Sequence, residues 1–171
     1  MNRAAFLLLL LLAALPLSLF AGEPTTPEQR KDIIRVTRAF EADPFRDDAS
    51  VARGLALRIL EEASDIKLRI NAGMLKELMT ANIPDRLAVF GQFILGHAAF
   101  VIEHPDLVSD ESAYTLAAFT SALHVYRKSI ERDAANKIAF WDALSEHQRA
   151  GTLKTHVEQL INERKPATAP K

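Results

Sequence analysis

Apolar residues return every three to four positions along most of this chain. The recurrence is broken by short stretches rich in Pro, Asp and Asn, so the pattern predicts a succession of helices rather than strands. The first is entered at Thr26-Pro27, with Thr26 as cap, Pro27 at the first helical position and Gln29 where a capping-box partner belongs. Ile33, Val36 and Phe40 then share one face opposite Arg30, Asp32 and Arg35, and Pro44 stops the helix near Asp43. A second helix, capped by Asp47 or Asp48, carries Val51, Leu55 and Ile59 as its expected inner stripe and ends around Glu62 to Ser64.

From Ile66 to Ile70 the pattern fits two periods, because Ile66, Leu68 and Ile70 alternate with Lys67 and Arg69 while Ile66, Ile70, Met74 and Leu78 fit one helical face. A lone strand has no partner elsewhere, which makes this an extended connector followed by a short helix over 72–80. After the break "ANIPD", Asp85 is placed to cap a helix near 86–104 that is apolar on almost every side: Leu87, Phe90, Ile94, His97 and Val101 share one face, and Val89, Phe93, Gly96 and Phe100 the adjoining one. Its small residues Gly91, Gly96, Ala98 and Ala99 admit close neighbours. The greasy run is about 16 residues and holds Gln92 and His97, short of what a bilayer crossing requires.

A long helix over 111–132 has a packing seam at Leu116, Phe119, Leu123, Tyr126 and Ile130. "DAANK" reads as a turn, 138–149 as a helix with Phe140, Trp141 and Leu144, and Gly151 as its C-terminal cap; Thr152 starts the last helix, with Leu153, Val157, Leu160 and Ile161 inside. About six to seven helices without paired strands predict an all-α fold, a single irregular helical bundle over residues 23–164 with the apolar helix near 86–104 at its centre. No helical-repeat period emerges, and the tail 165–171, "KPATAPK", is expected to be disordered.

The opening "MNRAAFLLLLLLAALPLSLFAG" places one positive charge, an apolar run and then small residues in order, the layout of a secretory signal peptide over residues 1–22. The alternative is an uncleaved membrane anchor, against which stand Pro16 and the lack of a positive flank after the run. Either way the expected location is exported: periplasmic or secreted, or held at the membrane by this segment alone. Removing Arg3 with the leader leaves 20 basic against 22 acidic residues, unlike a nucleic-acid binder. With no cysteine in the chain, disulfides, thiol catalysis, iron–sulfur clusters, covalent haem attachment and an acylated-cysteine anchor are excluded.

Candidate chemistry is sparse. Gln92, His97 and Phe100 are the residues that would line a pocket in the central helix, although a histidine on an apolar stripe is more often a core residue with a satisfied ring. Non-covalent haem would draw on Met74, Met79, His97 and His104. His97 and His104 lie two turns and about 10 Å apart, too far to share one metal ion. No two histidines are spaced by three or four, and His124, His147 and His156 lie on other helices, so no metal site is expected. Glu61-Glu62 and Asp110-Glu111 read as solvated helix-terminal carboxylates. The loop around Pro44 and Phe45 is a possible contact surface. No catalytic motif emerges and no cofactor is expected.

The leading expectation is thus an exported helical binding domain of the bacterial-type cell envelope or periplasm, whose partner is another envelope or secreted protein. Two alternatives stand behind it: a small-ligand or haem carrier with a pocket near His97, and an enzyme whose site follows no motif.

Overall fold

The computed structural model describes residues 22–163. The expected leader, apart from Gly22, and the expected tail at 165–171 lie outside the described residues. Those residues form an all-α bundle of seven α-helices: α1 (Pro27–Ala42), α2 (Ala49–Glu62), α3 (Lys76–Thr80), α4 (Arg86–Glu103), α5 (Glu111–Arg132), α6 (Ala139–Arg149) and α7 (Leu153–Glu163). The short helix expected over 72–80 is a 3-10 turn at Ala72–Met74 followed by α3, and the stretch before it is extended, with no partner strand among the described residues.

The helix boundaries follow from local chemistry. Thr26 accepts the Gln29 amide at 3.1 Å while Gln29 Oε1 accepts the Thr26 amide at 2.8 Å, a complete capping box. Gly151 has φ +72°, and the bonds Thr152 N to His147 O and Gly151 N to Gln148 O close α6 in a Schellman arrangement. Asp85 and Asp48 stand at the starts of α4 and α2, but neither side chain caps its helix. Asp85 instead accepts from Ser129 Oγ at 2.8 Å, tying the start of α4 to the end of α5, and Asp48 is taken by Arg46. Ahead of α1, Asp65 clasps the chain: it accepts the Thr25 amide at 2.8 Å and hydroxyl at 3.0 Å and pairs with Arg30 at 2.5 Å, beside a bond from Ser64 N to Glu23 O.

α4 packs against α1, α2, α3 and α5, and α5 against α1, α6 and α7 as well, so these two helices form the spine. α4 is long and apolar enough, by length and composition, to cross a membrane, yet half of it is buried within the protein. The core has two parts. The larger joins α3 to α7 around Phe93, Phe119, Tyr126 and Trp141, with Phe93 and Phe119 edge to face at 5.1 Å. The smaller joins α1 and α2 to the other side of α4 through Ile33, Phe40, Ala56, Leu60, Leu95 and Ala98.

Two faces differ from the sequence reading. On α2 the inward stripe is Ala49, Arg53, Ala56 and Leu60, while Val51 and Leu55 are 67% and 60% exposed. Small alanines let α2 approach closely, and the long Arg53 stem packs where an aliphatic residue was expected, its guanidinium lying 4.7 Å from the centre of the Phe40 ring. On α4, Leu87 is 64% exposed rather than part of the packed face, while its neighbours Ala88 and Val89 turn into the core.

Candidate functional site

Gln92 and His97 project from successive turns of α4 into the interior. Gln92 Nε2 donates to Thr37 O at 3.1 Å and to Ser121 Oγ at 2.7 Å, joining α1, α4 and α5 through one amide. Its Oε1 is buried without a partner among the described residues. The Ser121 hydroxyl in turn donates a hydrogen bond to Glu41 Oε1 at 2.7 Å, and Glu41 also accepts from Arg38 Nη1 at 2.9 Å. Arg38 Nη2 reaches Glu103 at 2.6 Å. A polar chain therefore runs from the core at Gln92 through Ser121 and Glu41 to an ion-paired rim.

His97 is 1% exposed and stacks flat on Tyr114, with ring centres 4.4 Å apart and planes 7° from parallel. Its Nε2 is buried and meets no acceptor or donor among the described residues. Burial pushes the imidazole down to about 4, so the ring is neutral at pH 7. Burial likewise raises the Tyr114 phenol, with Glu111 nearby adding to the effect.

The rim opens onto a groove of about 630 Å³. Its floor is small, made by Gly96, Ala113, Ala117 and Ser121, because α4 and α5 meet there almost backbone to backbone: a Cβ on Gly96 would lie 2.4 Å from Ser121 Cβ. One wall carries Arg38, Glu41 and Glu103, and the other carries Lys154 and Glu158 from α7. Phe100, with the His104 ring tilted against it at 4.7 Å, supplies an aromatic edge. His124 also lines the groove; burial lowers its pKa, Arg127 lowers it further, and Nδ1 faces Arg127 Nη2 at 3.3 Å.

The three residues singled out in the sequence are therefore not brought to one surface. Gln92 and His97 are enclosed, while Phe100 lines the groove that neither of the others reaches. The four haem candidates are also dispersed: Met74 sits in the larger core, Met79 lies at the surface, His97 is enclosed and His104 is on the groove. The loop residue Phe45 packs beneath Arg132, whose guanidinium is 4.2 Å from the ring centre. Among the described residues no group of three or more His, Asp or Glu is placed to hold a metal ion. His147 and His156 do stack, with centres 4.0 Å apart, across the turn at Gly151.

Sequence reasoning did not find Arg38, Glu41, Ser121, Lys154 or Glu158. The only available signal was the run of small residues in α4 and α5, which marks close helix approach but not what lines it. Comparison with protein-family models, with curated proteins and with solved structures found no match.

Proposed function

We infer that this chain is an exported, non-enzymatic helical domain that binds another envelope or secreted protein, and that the α1–α4–α5–α7 groove receives a segment of that partner. One observation carries the reading: the groove combines a floor of small residues with opposite charges on both walls, Arg38 against Glu41 and Glu103, Lys154 beside Glu158. A small-residue floor admits a backbone at close range, and charges of both signs on the walls match a polypeptide's donors, acceptors and side chains better than a single anion or cation. The non-enzymatic part is supported by how these groups are used. Ser121 donates its hydroxyl hydrogen bond to Glu41, which Arg38 already holds, and His124 turns its Nδ1 toward Arg127. The export part rests on the N-terminal sequence pattern alone.

Photo-crosslinking in the native compartment tests the reading, with a photoreactive residue at Thr120 or Lys154 in the groove and at Val51 as a control away from it. Adducts of one discrete mass from the groove positions, absent from Val51, are expected. No adduct, or the same adducts from all three positions, would overturn it.

A second reading, a small-ligand carrier, is favoured by the groove's volume, which lies within the roughly 300–1,000 Å³ typical of ligand sites, and by its Phe100–His104 edge. Mass measured on the natively isolated protein, before and after denaturation, separates the two: extra mass released on denaturation and smaller than a polypeptide supports the carrier.

A further inference from the structure

At the other end of the α4–α5 spine a second pocket, of about 460 Å³, opens between the Pro44–Asp47 loop, the first turn of α2 and the first turn of α4. We propose that it binds a compact oxyanion, a carboxylate or phosphate group, between the Arg53 guanidinium and the free amide of Ser50.

Arg53 is 9% exposed and makes no ion pair among the described residues. Nη2 donates to Pro44 O at 3.0 Å, the Phe40 ring covers one face, and Nε is buried with no acceptor among the described residues. A cation taken from water without a paired counter-charge is costly, and burial lowers its pKa while the charge of Asp85, on the same pocket, opposes that shift. Asp85 is not free to answer that need, since it accepts from Ser129 Oγ at 2.8 Å, Asn136 Nδ2 at 3.4 Å and Arg132 at 3.3 Å.

The start of α2 presents the matching half of an anion site independently of Arg53. Ser50 lines the pocket, and no acceptor meets its amide among the described residues. Asp48, which stands in the capping position, is paired with Arg46. An uncapped helix start concentrates the positive end of the helix dipole and unused N–H donors. Arg132 and Asp85 also line the pocket, but as an ion pair at 3.3 Å whose charges offset each other, and the exposed Asp47 opposes an anion, so Arg53 is the cation left to meet one. Leu57 and the exposed Leu87 give apolar wall to whatever body carries the anionic group.

The test is titration of the intact protein with inorganic phosphate and, separately, with acetate, each against chloride at equal ionic strength, following the melting temperature and the amide resonances of Ser50 and Val51. A saturable shift of both readouts by at least one of the two anions is expected, and the anion that produces it identifies the headgroup chemistry. Ser50→Asp places a carboxylate at the exposed helix start; it should raise the melting temperature in chloride and abolish the response to added anion. Arg53→Met should keep the packed stem and also abolish the response; if that variant does not fold, Ser50→Asp decides alone. Silence of wild type toward both anions overturns the proposal, as does a response that Ser50→Asp retains.

Discussion

Gly96 on α4 faces Ser121 on α5 so closely that a Cβ on the glycine would stand 2.4 Å from the serine Cβ and 2.9 Å from its hydroxyl. No rotamer change relieves an overlap with a Cβ atom, so Gly96→Ala must push the two spine helices apart. The overpacking cost of about 1–3 kcal/mol exceeds the roughly 1 kcal/mol that alanine gains in helix propensity. The variant is expected to melt below wild type and to lose groove crosslinking. Gly91→Ala meets only side-chain carbons beyond Cβ, the Arg53 stem at 2.7 Å and Leu57 at 3.5 Å, and should be milder; thermal melts of the two variants side by side check the order.

Gln92 holds three helices by two donated bonds, to Thr37 O and Ser121 Oγ. Gln92→Met keeps the volume and removes the bonds, with an expected loss of about 1–2 kcal/mol. Gln92→Ala adds a cavity and should lose about 2–4 kcal/mol. Urea midpoints of both variants test the ranking, and equal midpoints would show that the bonds outweigh the packing.

Acid should weaken the fold through His97. Its folded pKa is pushed down to about 4 from an ordinary 6.5, so as pH falls the unfolded chain takes up the proton first. The stability is present in full above about pH 6.5 and is lost progressively toward pH 4, of order 3 kcal/mol in all. His97→Phe keeps a flat ring against Tyr114 without the titrating nitrogen. It should flatten the pH slope of unfolding free energy across that window, leaving the smaller parts from His124 and His156, which burial also lowers. An unchanged slope would remove His97 as the cause.

Val51 and Leu55 supply a control on the fold. Val51→Ser and Leu55→Ser should change stability by no more than about 0.5 kcal/mol, since both side chains face solvent. Ala56→Asp, at the residue next to Leu55 but on the buried face, should unfold the protein, and far-ultraviolet circular dichroism of the three variants distinguishes the outcomes.

Thr26→Ala removes half of the capping box at α1 and should cost about 1 kcal/mol, read as a lower urea midpoint with an unchanged slope.

Where apolar periodicity is strong, as in α1, α5, α6 and α7, the helices and their inner faces were legible in the sequence, because three-to-four spacing reports directly which side meets the core. On α2 the same rule chose Val51 and Leu55 over Ala49, Arg53 and Ala56. It weighs side chains by their own hydrophobicity, whereas burial there is decided by how closely small residues let helices meet and by an aromatic ring waiting for Arg53. The groove was hidden for a different reason. Glu41 and Ser121 are 80 residues apart, and nothing local in either segment announces the other. His97 was recognised as an anomaly, but its partner Tyr114 depends on how α4 and α5 are aligned, which periodicity leaves open.

The clasp of Asp65 on Thr25 and Arg30 has a mechanical consequence. Tension applied to the chain at Gly22 would enter the bundle at one anchored point, shared between the first turn of α1 and the residues just after α2, instead of unwinding α1 from its end. A load arriving there would have to open the Asp65 bonds to Thr25 and Arg30 before it could peel the first turn of α1 away from the residues that follow α2.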